Sequence, residues 1–137
     1  MPNPEFKVID AILCDDIRAE IGGKSTIIGA TAGSVIVSTF PAKIKATFWI
    51  KCRAKNMTPG NYKLDFRLRE KNSNRIFYGV QININAKEEK TDEYIPITPP
   101  VSIFLLEKPA VGVVEASFDG GEFDLIQEIG FVAKLKT

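Results

Sequence analysis

Apolar and polar residues alternate along much of this chain with a period of two. In NYKLDFRLRE (61–70), Tyr62, Leu64, Phe66 and Leu68 fall on one side, and Lys63, Asp65, Arg67 and Arg69 on the other. A strand with one buried and one wet face has this pattern. RIFYGVQININA (75–86) repeats it, with Ile76, Tyr78, Val80, Ile82 and Ile84 against Gln81, Asn83 and Asn85. KNSN between the two runs is turn chemistry at hairpin length. Residues 61–86 therefore read as a β-hairpin.

Shorter runs predict further strands: KVIDAILC, STIIGA, SVIVST, KATFWIKCRA, VSIFLLE, VGVVEASFD and the closing FVAKLKT. Gly22-Gly23, Pro41, Pro59-Gly60, Pro99-Pro100 and Gly120-Gly121 punctuate them at the spacing of a β-sandwich. No window sustains a helical period, and AKEEKTDEY (86–94) reads as a charged loop. The sum is about eight or nine strands in one all-β domain over residues 1–137. An immunoglobulin-like or C2-like Greek-key β-sandwich is the expected architecture. MTPGNYKLDFRL is similar to the Pro-Gly-x-Tyr strand entry of many immunoglobulin-like modules. KVIDAILC is apolar on both faces: Phe6, Val8 and Ile12 would lie on one side, and Ile9, Ala11 and Leu13 on the other. A sandwich strand needs only one buried face, so this run predicts cover by a loop or by a second subunit. Asp10 interrupts it and calls for a partner such as Arg18, Lys45 or Arg53.

Composition narrows the chemistry. The 18 Lys and Arg nearly balance 17 Asp and Glu, which leaves +1 and no general field for nucleic acid or anionic lipid. There is no histidine. That removes Ser-His-Asp and Cys-His nucleophile pairings, histidine-ligated zinc and the commonest general base. Cys14 and Cys52 are too few for a disulfide framework and read as small buried hydrophobes. MPNPEFKVID lacks the features of a signal peptide, and no apolar run reaches the roughly 20 residues of a membrane span. A cytoplasmic protein without cofactor or metal is the expectation.

The densest charge lies in LCDDIRAEIGGKSTIIG (13–29). Strand geometry sends the neighbours Asp15 and Asp16 to opposite sides, so they pair only if the chain bends. EIGGK has the glycines of a hairpin turn, with Glu20 and Lys24 placed to pair across it. IGGKST ends like a phosphate-binding loop, but Arg18 stands where the first glycine belongs and no helix follows. The acids Asp119, Glu122 and Asp124 are a possible calcium cluster, although DGGEFD reads equally as a turn. A metal-dependent hydrolase on Asp15 and Asp16 is the weakest of the chemical readings.

Leu13-Cys14-Asp15-Asp16-Ile17-Arg18, then Glu20, Gly23-Lys24, Ile27-Ile28-Gly29 and Phe40-Pro41, resembles the opening of a family of small bacterial and bacteriophage proteins, a domain of unknown function. The resemblance covers roughly the first 45 residues. It implies an all-β domain of bacterial or phage origin and brings no activity or catalytic residue with it.

Two surfaces remain as binding candidates. Lys45, Trp49, Lys51 and Arg53 share strand parity with Lys43 and Lys55, a basic face with an aromatic that suits a small anionic ligand or nucleotide. Asp16 and Arg18 mark the charged block. The expected function is a non-enzymatic interaction module that works through protein–protein contacts, self-association included. A small anionic ligand on the Trp49 face is the alternative.

Overall fold

The computed structural model describes residues 3–31 and 33–135. Its strands are β1 (Glu5–Leu13), β2 (Asp16–Ala19), β3 (Ser25–Ile28), β4 (Val35–Val37), β5 (Ala42–Ala46), β6 (Phe48–Met57), β7 (Gly60–Glu70), β8 (Ile76–Ala86), β9 (Lys90–Ile97), β10 (Ser102–Leu106), β11 (Ala110–Phe118) and β12 (Asp124–Ala133). The described residues hold twelve strands and no helix, so the chain is all-β. The closing run FVAKLKT falls at the end of β12, and its last two residues lie outside the described residues.

The large sheet has the order β4-β12-β11-β7-β8; β1-β6-β9 and the ribbon β10-β5 face it. All pairs are antiparallel except β12 with β4. One apolar core joins the two layers, and aromatic pairs cross it. Phe48 of β6 meets Phe66 of β7 edge-on at 5.1 Å, and Phe104 of β10 stacks on Phe77 of β8 at 5.3 Å. Such pairs add about 1 kcal/mol each beyond area burial. The hairpin 61–86 forms as expected, β7 against β8. Strand order alone does not assign the sheets to an immunoglobulin-like or C2-like Greek key.

Several differences from expectation have local causes. KVIDAILC needs no covering subunit to explain its two apolar faces. The β1–β6 register slips between Val8 and Asp10, so Ile9 is an extra, bulged residue. A bulge flips the parity of everything beyond it. Phe6, Val8, Ala11 and Leu13 consequently all point into the core, and Ile9 is left exposed. A second slip, between Leu68 and Arg69 opposite β8, buries the adjacent Phe77 and Tyr78 together and leaves Ile76 exposed. KATFWIKCRA breaks at Thr47: β5 pairs with β10, whereas β6 pairs with β1 and β9. The charged run 86–94 gives a short loop and then β9, an edge strand held by its pairing with β6. Pro96 is tolerated there because an edge strand has one unpaired side.

Candidate functional site

The charged opening block builds an arm. β2 and β3 pair only with each other, from Asp16↔Ile28 to Ala19↔Ser25, and form a two-stranded ribbon separate from the other sheets. Its base is fastened by Asp15 N–H to Ile28 O (2.9 Å), Thr31 N–H to Leu13 O (2.8 Å) and Cys14 N–H to Thr47 O (2.9 Å). At the tip, Glu20 N–H donates to Lys24 O, and Gly22 and Gly23 take positive φ. The expected Glu20–Lys24 ion pair is replaced by Thr26 Oγ1 donating to Glu20 Oε1 at 2.9 Å. Ile17 faces Ile27 across the ribbon, and Ile21 at the tip is 98% exposed.

Within the arm the two aspartates diverge. Asp15 lies in the bend before β2, against Gly29, where an added Cβ would stand 2.1 Å from Asp15 Oδ2. Gly29 also has φ +67°, so this position excludes a side chain on two grounds. Asp16 accepts from the Ile17 N–H and sits 3.7 Å from Arg18, both side chains exposed. An exposed pair of this kind adds about 0–1 kcal/mol. Asp15 and Asp16 thus have separate structural partners. Among the described residues no group of three His, Cys, Asp or Glu is placed to hold a metal, the residues Asp119, Glu122 and Asp124 included.

The expected basic face is divided, and one of its cations, Arg53, is ion-paired. Lys45 belongs to β5, where its Nζ donates to Asp15 O (3.3 Å) at the base of the arm. On β6, Arg53 grips Asp92 of β9 with two hydrogen bonds, of 2.8 and 2.7 Å. The hydrogen bond from Arg53, and then its charge, hold the Asp92 carboxyl below its usual range. Lys51 Nζ lies 5.0 Å from the Tyr94 ring centroid, beside the cross-strand Asp10. Asp10 itself accepts from Ala11 N–H at 2.9 Å rather than pairing with Arg18, Lys45 or Arg53. Trp49 is half-buried beside Ile12, and its Nε1 is buried without a partner among the described residues. Asp92 on the flanking strand β9 pairs with Arg53 of β6, a result that parity along one strand cannot foresee.

A second charged cluster escaped the sequence reading. Glu115 of β11 is 6% exposed although it sits on the outer side of the large sheet. It accepts from Arg67 Nε at 2.7 Å and Arg69 Nε at 2.8 Å, both on β7. Burial pushes the Glu115 carboxyl up, but hydrogen bonds from Arg69 and Arg67 and their charges outweigh it, leaving a net downward shift. Arg69 is tied further to the carbonyls of Glu70 and Ser73. Arg67 lies over the Phe123 ring, 3.6 Å from its centroid. One signal was present in the sequence. Glu115 interrupts an apolar run, and a carboxylate there requires cationic partners. Arg67 and Arg69 were already visible on the wet face of β7.

Both thiols are free and buried. Burial pushes Cys52 up to about 12 and raises Cys14, with Asp15 and Asp16 adding to the latter. Cys14 Sγ donates to Thr47 O at 3.6 Å. Neither is a poised nucleophile. No described helix is long and apolar enough to cross a membrane.

Comparison with known sequences adds one match. The sequence model of a family of unknown function (DUF6941) matches residues 9–127, well beyond the opening segment that carried the resemblance. No curated protein and no solved structure matches the chain.

Proposed function

We infer that this chain, which belongs to a family of unknown function (DUF6941), is a non-enzymatic binding module that acts through protein–protein contacts. The β2–β3 arm is its contact element, and a second copy of the chain is the partner. A bacterial or bacteriophage source, a cytoplasmic site of action and an immunoglobulin-like arrangement of the sheets belong to the same proposal.

One observation carries it. A two-stranded ribbon, separate from the other sheets, has both outer edges unpaired and presents Ile21, 98% exposed, at its tip. Two strands alone are marginally stable in water, and unpaired edges are templates for further strands. The absence of histidine and the diverging partners of Asp15 and Asp16 support a non-catalytic role. The Trp49 face gives a nucleotide little support, because Asp92 holds Arg53 and Tyr94 covers Lys51.

Analytical ultracentrifugation over a wide concentration range tests the reading. The wild-type chain is expected to associate, and Ile21→Lys to shift it toward monomer with an unchanged melting temperature. A wild-type chain that stays monomeric, or an Ile21→Lys variant that associates equally, overturns it.

A further inference from the structure

The large sheet contains three interior glycines whose φ is not positive: Gly79, Gly112 and Gly130. Two are explained by packing. A Cβ on Gly112 would stand 2.7 Å from Leu68 Cδ1, and one on Gly130 would stand 2.6 Å from Ser34 Oγ. Gly79 is less tightly enclosed. A Cβ there meets only the Ile76 Cγ2 methyl at 3.3 Å and Arg67 Cβ at 3.9 Å. Glycine weakens a strand interior and often marks a bulge, a tight bend or the close approach of a ligand; the bulge at Phe77 lies two residues before Gly79.

Gly79 stands directly across from Arg67, which in turn pairs with Glu115 on the next strand. Gly79 lies in an open surface groove of about 300 Å³, lined also by Arg67, Phe123, Ile76, Asp65 and Gln81. Arg67 is fixed from two directions, by Glu115 at its Nε and by the Phe123 ring on its face. Its two terminal nitrogens have no partner among the described residues. Arg67 and Arg69 share the single carboxylate of Glu115, and with Asp65 also in the lining these four side chains carry no net charge. Asp65, two residues before Arg67 on the same face of β7, accepts from the Gln81 amide at 3.2 Å.

We propose that the slot over Gly79 is a binding site for a planar carboxylate carried on an apolar body. The two terminal nitrogens of Arg67 meet the two carboxylate oxygens, the arrangement for which a guanidinium is shaped. Ile76 and Phe123 take the apolar part. The acid wall at Asp65 disfavours a compact dianion such as phosphate. Glu115 is a positioning residue that holds the fork in place. The site lies on a different surface from the β2–β3 arm and does not depend on self-association.

The test is a titration of the isotope-labelled full chain with sodium benzoate, followed at the Arg67 Nε–H and Gly79 amide resonances at constant ionic strength. Benzamide is the neutral isostere and inorganic phosphate the compact anion. Benzoate is expected to move both signals saturably, and benzamide and phosphate to leave them in place. Gly79→Val, which suits a strand, fills the slot, and Arg67→Lys keeps the charge but loses the fork. Each is expected to weaken benzoate binding by roughly tenfold or more, the equivalent of about 1.4 kcal/mol, with the rest of the amide spectrum preserved. A stronger response to a phenylalanine-terminated peptide than to benzoate assigns the carboxylate to a chain end, and the reverse assigns it to a free acid; either supports the site. No response to benzoate, an equal response to benzamide, a preference for phosphate, or an unchanged response in folded Gly79→Val overturns it.

Discussion

At Glu115, burial and charge pairing pull the carboxyl in opposite directions, and pairing wins. The folded carboxyl therefore titrates below the unfolded one. Its stabilisation is fully present above the ordinary Glu range of about 4.3 and is lost as pH falls through the folded value. Chemical denaturation at neutral and acid pH should show a loss of stability on acidification that is smaller in Glu115→Gln. Glu115→Ala at neutral pH leaves Arg67 and Arg69 without their anion; both are partly solvated, so we expect a loss of about 2–3 kcal/mol. Gly29 makes a second prediction of this kind. Gly29→Ala meets Asp15 and forces a side chain into positive φ, with an expected cost of about 2 kcal/mol in urea unfolding.

At the scale of elements, the β2–β3 arm and the hairpin 61–86 are opposites. The hairpin contributes Leu64, Phe66, Leu68 and Tyr78 to the core, whereas the arm contributes none, its half-buried Ile17 and Ile27 facing each other across the ribbon. Backbone protection follows burial. Hydrogen exchange should therefore find the amides of 16–28 among the fastest-exchanging strand amides in the chain, and those of 62–68 among the slowest. If association uses the arm, raising the concentration should slow the arm amides and leave 62–68 unchanged. Ile21→Lys should abolish that change while altering stability by no more than about 0.5 kcal/mol.

For the whole molecule, the sheets share one core in which Cys52 is fully enclosed, and Cys14 is buried outside that cluster. Both thiols should react with a chromogenic disulfide reagent only after unfolding, and the two reactive thiols per chain should appear with the loss of near-ultraviolet circular dichroism. Early reaction of one thiol in native buffer would mean that the arm base, where Cys14 is fastened, opens independently of the core. The all-β class, the 61–86 hairpin, the glycine turn of the arm and the buried thiols were all legible in the sequence. Each depends on residues close together in the chain. The strand count fell short because β9, made of KTDEYIPI, has too little apolar alternation to announce it, KATFWIKCRA splits into β5 and β6, and β2 breaks from β1 at the bend of Asp15. Arg53 and Asp92 bring β9 to the sheet edge from 39 positions apart.

Local pattern determined which segments extend and which faces of them are apolar, because side-chain parity in a strand depends on nothing beyond the strand. It also determined the chemistry excluded by a chain without histidine. Tertiary structure decided what each face meets. Bulges at Ile9 and Phe77 reversed parity where a partner strand required it. Pairing across strands set Asp92 against Arg53 in the basic row of β6, and it gathered Glu115, Arg67 and Gly79 from three strands into one row. A charge acquires its role from the neighbours set against it, and in a sheet those neighbours are distant in sequence. That is why the charged block at 15–18 drew attention while the Arg67 cluster passed unnoticed.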